Sequence, residues 1–238
     1  MIGILAGMGP KSTAPFVDKV VELCQQLYGA KYDIEFPPMM IYSCPTPFFM
    51  DRPLDHKAME TAIISGTRRL AATGADFIAI PCNTAHRYFE SIKGSVEIPV
   101  LNMVEETLKY LPAGCGRVAL LATPSTLEAG VYQSGLARRG CEYVQRDIWQ
   151  ERVNAVIAAV KGTDGLSVAT ATWRSLLDDL GGQVDALILA CTDLNVVANQ
   201  CPTDIMTIDA GHCLARAVVN RYYQDRSGKK RNMEADGA

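Results

Sequence analysis

The sequence predicts an α/β chain built as two similar halves, each a parallel sheet with helices on both faces. Three observations carry that expectation. Short apolar runs alternate with amphipathic stretches along the chain, as parallel strands alternate with their crossover helices. An outline of Asp, apolar strand and Cys occurs twice, in Ala75-Asp-Phe-Ile-Ala-Ile-Pro-Cys82-Asn-Thr and in Val184-Asp-Ala-Leu-Ile-Leu-Ala-Cys191-Thr-Asp. The two cysteines lie 109 residues apart and the first strands of the halves, from Ile2 and Val118, lie 116 apart, so the offsets agree within a loop length.

The elements follow in order. Ile2–Ala6 is a buried strand closed by the turn Gly7-Met8-Gly9-Pro10. Ser12 or Thr13 caps a helix running to Tyr28, with Gly29 as its stop. A second strand spans 37–42, the proline-rich stretch 45–55 is a loop, and helical periodicity runs over 57–72. Phe77–Ile80 is a strand followed at once by Pro81-Cys82-Asn83-Thr84, from which a helix is expected to Ile92. Ile98–Leu101 reads as a strand and 104–111 as a helix; Pro112-Ala-Gly-Cys-Gly116 is the linker. The second half repeats the order: strand 118–122, helix 124–139 ending at Gly140, strand 143–145, helices 151–161 and 167–180, strand 186–190, strand 205–208 and a closing helix 212–223.

Composition bounds the function. The 238 residues are 48% apolar and 21% charged, with 23 Lys and Arg against 26 Asp and Glu for a net charge of −3. That apolar content excludes disorder as the main state. No apolar run approaches the ~20 residues of a membrane span, and mild acidity argues against a nucleic-acid binder. The N-terminus has no basic region or long apolar stretch of an export signal. Eight scattered cysteines without a CxxC pair then read as reduced thiols of a cytoplasmic protein. Gly7-Met-Gly-Pro-Lys-Ser12 carries Ser12 where a dinucleotide fingerprint needs its third glycine, and Pro10 separates Gly9 from Lys11, so it is not a P-loop. Cys82 and His86 have metal-pair spacing, yet a zinc site needs further ligands. No cofactor signature and no metal set is read.

Cys82 and Cys191 each follow a central strand at its carboxyl end, where ligands of open parallel sheets bind. Asn-Thr and Thr-Asp behind them are residues that open helices and offer donors to an anion. A cysteine at a helix N-terminus is expected to have its thiolate stabilised and its pKa lowered. One thiolate and one thiol on opposite faces of a carbon would take a proton from one side and return one on the other, inverting a stereocentre. Backbone N–H groups at 83–85 and 192–193 would hold the neighbouring carboxylate. His86, four residues after Cys82, is a candidate for tuning that thiol or for holding a backbone group. Asp76 and Asp185 are expected to make turn contacts before their strands. Cys24, Cys115, Cys141, Cys201 and Cys213 read as core or incidental, and Cys44 as a neighbour of the site without chemistry.

Gly3-Ile-Leu-Ala-Gly-Met-Gly-Pro10, Pro81-Cys-Asn-Thr-Ala-His86 and Ala190-Cys-Thr-Asp193 together resemble the aspartate/glutamate racemase superfamily, from the first strand to about Asp209. The likeness is greatest to its broad-specificity amino-acid racemase branch. It implies a pyridoxal-phosphate-independent enzyme that interconverts L- and D-amino acids through Cys82 and Cys191. It implies two pseudo-symmetric lobes with the active site in the cleft between them, lobe one being 1–112 plus 210–238 with Cys82 and lobe two 113–209 with Cys191, in a homodimer. Substrate-binding roles are carried to Met8, Arg52, Asn83, Thr84, Ala85, Lys161, Thr192 and Asp193. Asp193 stands where many members carry Glu, and Leu194-Asn195 where they carry Ile-Pro. Arg52 and Lys161 suit an acidic side chain; if one of them binds the α-carboxylate, Asp193 or Asp51 suits a basic one. Competing readings are another reaction on the same scaffold (a hydantoin-type racemase, a maleate-type isomerase or a decarboxylase) and a non-catalytic amino-acid binding protein.

Overall fold

The computed structural model describes residues 1–49, 52–162 and 165–235. The chain divides into two compact units: Met1–Pro81, Glu90–Leu101 and Leu214–Ala238 form one, Cys82–Phe89 and Asn102–Cys213 the other. The sequence-based boundaries assign Cys82 to the first lobe, whereas this division groups the Cys82–Phe89 segment with the second unit.

In the first unit, β1 (Ile2–Ala6) is followed by α1 (Thr13–Tyr28), β2 (Met39–Ser43), α2 (His56–Ala71) and β3 (Phe77–Ala79), and after the Cys82–Phe89 segment of the other unit the chain returns in α3 (Phe89–Lys93). Its sheet has the order β2-β1-β3, all parallel, with Ile2 level with Met39 and Phe77. The strand expected at 98–101 is reduced to one parallel bridge, Ile78 to Val100. β1 is wholly buried, which accounts for its unbroken apolar run. α1 ends where Gly29 turns left-handed (φ 68°) and donates its N–H to the last turn. Asp55 caps α2 by accepting from the Ala58 N–H.

The second unit contains α4 (Met103–Leu108), β4 (Arg117–Leu121), α5 (Pro124–Glu128), α6 (Gln133–Arg138), β5 (Glu142–Val144), α7 (Asp147–Lys161), α8 (Leu166–Leu180), β6 (Ala186–Leu189), α9 (Asn195–Ala198) and β7 (Met206–Asp209). Its parallel sheet runs β5-β4-β6-β7. Alternate residues of β4 serve opposite faces. Ala119 and Leu121 pack in a core with Trp149 of α7 and Trp173 of α8, while Val118 and Leu120 pack with Leu108, Tyr132 and Leu136. α10 (Ala210–Ala235) starts in this unit and continues into the first, extending beyond the helix expected at 212–223.

The internal repeat is visible in the topology: in each unit the first strand of the half is flanked by the second and third. The repeated Asp has one job in both. The Asp185 carboxylate accepts the Arg117 N–H at 2.7 Å and pairs with the Arg117 guanidinium, while the Asp185 N–H donates to the Arg117 carbonyl. Asp76 pairs with the N-terminal ammonium and donates its N–H to the Met1 carbonyl. Each Asp therefore pins the start of its strand to the start of the neighbouring strand.

The helix expected over 124–139 is two helices. Gly130 takes a left-handed conformation (φ 65°) and separates α5 from α6. The periodicity continues across the break because both pieces pack against the same sheet, so apolar spacing alone does not reveal it.

Candidate active site

Cys82 and Cys191 lie just beyond the carboxyl ends of β3 and β6. The Cys82 sulfur is met by the backbone N–H groups of Thr84 and Ala85, and the Cys191 sulfur by the N–H of Asp193. These donors come from 3-10 turns, Thr84–Tyr88 and Thr192–Leu194. The turns give local N–H groups without the summed dipole of a long helix.

The expected lowering of the thiol pKa values is therefore corrected. Burial is the largest influence on both sulfurs and pushes both up, Cys191 to about 12. The Asp193 carboxylate raises both further; Lys161 and the N–H groups oppose it. Burial thus favours the neutral thiol over the thiolate at both positions.

The same balance shows how the groups are gathered. Cys191 feels the charge of Cys82, and both feel Lys161 and Asp193. Lys161 Nζ, at the end of α7, lies 3.5 Å from Asp193 Oδ2. The Cys191 thiol faces that same oxygen at 3.9 Å. Asp193 is 5% exposed, so its charge acts in a dry setting where it counts for more than in water.

Asn83 and Thr84 are each tied to the segment after β4. The Thr84, Thr123 and Thr126 hydroxyls form a triangle with edges of 2.8, 3.0 and 3.2 Å. Tyr132 donates its hydroxyl proton to Asn83 Oδ1 at 2.5 Å. Ala85 is fully buried. The sequence reading passed over Thr123, Thr126 and Tyr132. The signal for the first two was the repeat, because Thr123-Pro124-Ser125-Thr126 follows the first strand of its half as Gly7-Met8-Gly9-Pro10 follows β1. Tyr132 left no such signal.

His86 addresses the backbone. Met103 donates its N–H to Nε2 at 2.9 Å, so Nε2 carries no proton, and Nδ1–H donates to the Cys82 carbonyl at 2.8 Å. The ring stacks on Phe89. Asn102 accepts from the next two N–H groups of α4, Val104 and Glu105, so His86 and Asn102 together satisfy its first three donors.

Met8 lies in the loop after β1, in the first unit, and Arg52 in the same unit is exposed with its guanidinium 4.3 Å from the Phe49 ring centre. Asp51 lies outside the described residues. Thr192 begins the 3-10 turn after Cys191; nearby, Asp209 accepts from the Asn195 amide at 3.0 Å and from the Gly211 N–H at 2.8 Å. Cys44 is buried, its thiol facing the Ala62 carbonyl at 3.6 Å, and Cys24, Cys141, Cys201 and Cys213 are buried too. Among the described residues no three His, Cys, Asp or Glu side chains gather as metal ligands, and no helix is long and apolar enough to cross a membrane.

The family model of Asp/Glu/Hydantoin racemase matches residues 5–218. The chain belongs to the Asp/Glu/Hydantoin racemase family. It is 49% identical over 222 residues to the broad specificity amino-acid racemase RacX of Bacillus subtilis (strain 168), covering 93% of this chain and 98% of that one. The aspartate racemase of Picrophilus torridus has a similar structure, with TM-score 0.77, 28% identity and coverage of 92% of this chain and 93% of that one. The glutamate racemase of Francisella tularensis subsp. tularensis SCHU S4, in complex with D-glutamate, shares the fold at TM-score 0.63 and 14% identity, over 94% of this chain and 81% of that one. The fold class read from sequence, parallel α/β in two lobes, is that of these racemases. This racemase-family chain is thus an isomerase acting on amino acids.

Proposed function

We propose that the protein is a broad-specificity amino-acid racemase that needs no cofactor and works by two-base proton transfer between Cys82 and Cys191. The observation that carries this is the shared setting of the two sulfurs, both of which feel the same Lys161–Asp193 pair, with the Cys191 thiol 3.9 Å from the Asp193 oxygen that Lys161 meets. The breadth of specificity rests on the 49% identical relative of that description.

In the first half-reaction one cysteine, as thiolate, takes the α-proton and becomes a thiol. The electron pair left on the α-carbon delocalises into the adjacent carboxylate. The opposite thiol then gives its proton to the other face and becomes the thiolate. The product has the opposite hand, and the two sulfurs have exchanged states, ready for the reverse reaction. The N–H groups at Thr84, Ala85 and Asp193, with Lys161, favour the thiolate that must form. Burial and Asp193 favour the thiol that must donate. Both tendencies are required, because each sulfur serves in both states.

Asn83, Thr84, Ala85, Thr192 and Asp193 hold the amino-acid head, with Met8, Arg52 and Lys161 completing the set. The same reading takes the enzyme to be a cytoplasmic homodimer. The test is exchange of the α-hydrogen in D2O over a panel of L- and D-amino acids, without added cofactor, for wild type, Cys82→Ser and Cys191→Ser. Exchange with inversion in wild type, lost in both variants, is the expected result. Inversion that persists in either variant refutes the two-thiol mechanism, and no exchange with any amino acid refutes the racemase reading.

A further inference from the structure

We propose that Tyr132 is a positioning residue for this reaction: its buried hydroxyl holds the Asn83 amide so that the NH2 limb faces the substrate beside Cys82. The inference rests on the racemase reading and adds a residue that acts through another.

Tyr132 is fully buried, in the short connection between α5 and α6. Its ring belongs to the apolar cluster that includes Leu108, Leu136 and Ala190, a role that phenylalanine would fill as well. The hydroxyl donates to Asn83 Oδ1 at 2.5 Å. A side-chain amide offers two acceptor sites on oxygen and two donor hydrogens on nitrogen. With Oδ1 taken by an O–H donor, the amide is fixed in one of its two orientations, and Nδ2 is the limb left to meet a ligand.

Asn83 is only 3% exposed, yet Nδ2 has no hydrogen-bond partner among the described residues. Buried donors in native proteins are nearly always satisfied, so a fixed and unsatisfied one marks a place where something else binds. Asn83 directly follows Cys82 in the chain. Its neighbour Thr84 is held by Thr123 and Thr126, from the same segment that supplies Tyr132. One stretch, from Thr123 to Tyr132, therefore orients both polar side chains that follow the first thiol. A donor pair held there complements the carboxylate beside the carbon that loses its proton, and holding it before substrate arrives removes the cost of ordering it on binding.

The experiment compares wild type, Tyr132→Phe, Asn83→Ala and the double variant for kcat and KM of α-hydrogen exchange, with thermal midpoints recorded beside them. Tyr132→Phe should lower kcat/KM roughly ten-fold, mostly through KM, with the shape of the pH profile unchanged. In the Asn83→Ala background the same change should cost less than about two-fold, because the amide through which it acts is gone. Tyr132→Phe within about two-fold of wild type, or losses that multiply in the double variant, overturn the inference. Absence of exchange in wild type is failure of the racemase reading itself. In that event calorimetric titration of the same amino acids still decides the role of Tyr132: weaker binding by Tyr132→Phe supports it, and equal binding or none by either protein overturns it.

Discussion

Replacing His86 with phenylalanine tests whether that ring is a structural tie or a proton partner of the thiol. Phenylalanine keeps an aromatic ring to stack on Phe89 and removes both ring nitrogens. The Met103 N–H then loses its 2.9 Å acceptor and the Cys82 carbonyl its 2.8 Å donor. Met103 is fully buried, so its orphaned N–H cannot turn to water instead. A buried polar group left unsatisfied costs about 1–3 kcal/mol, which puts the two groups at about 2–6 kcal/mol together. The larger ring adds crowding, and its apolar surface returns part of the loss. We expect a net loss of about 3–5 kcal/mol, a large share of the ~5–15 kcal/mol by which a typical domain is stable. Urea unfolding followed by circular dichroism measures it as a lower midpoint at constant slope. His86→Gln, whose amide oxygen reaches toward the Met103 N–H, should recover part of the loss. Its pH–rate profile should keep the wild-type shape, since no proton passes between the ring and Sγ. A loss below about 1 kcal/mol in His86→Phe would refute the tie, and an alkaline limb displaced in His86→Gln would make the ring a thiol partner after all.

Three further outcomes follow from the same geometry. Lys161→Met leaves Asp193 buried without its cation; the alkaline limb of the pH–rate profile should move to higher pH, because Lys161 lowers both thiols, and stability should fall by about 1–3 kcal/mol, less than for a fully enclosed pair because Lys161 keeps part of its surface exposed. Cys191 goes from 9.0 in the unfolded chain to about 12 in the folded one, so the folded state alone keeps this proton in that window. That contribution is whole below pH 9.0 and is lost as pH rises toward 12, at up to about 1.4 kcal/mol per pH unit. Denaturant midpoints measured across the window should fall less steeply for Cys191→Ala than for wild type. Gly7→Ala combines a φ of 92° with a new methyl 2.7 Å from the Cys44 backbone nitrogen, and should cost about 3 kcal/mol or more; Gly29→Ala, at φ 68° with open space around it, should cost only about 1 kcal/mol, and equal midpoints for the two would refute the steric account.

The sequence alone was enough for the alternation of strands and helices, the repeat and the two cysteine turns, whereas Asp76 and Asp185, expected to make local turn contacts, pin strands whose starts lie 75 and 68 residues away. The first three are written in contiguous residues: a strand's burial shows as an apolar run, and a turn shows as its own local chemistry. The break at Gly130 was not legible, because two helices on one sheet keep a single apolar rhythm. The thiol pKa values were misread for a related reason. Residues after a cysteine announce N–H donors, but whether burial outweighs those donors depends on atoms brought from elsewhere in the chain. The Lys161–Asp193 pair joins residues 32 positions apart, the threonine triangle spans 42 and the Tyr132–Asn83 bond 49. Periodicity and spacing report what one element does for itself. Which side chain meets which across a sheet edge is set by the packing of whole elements, and so it was decided only in the tertiary structure.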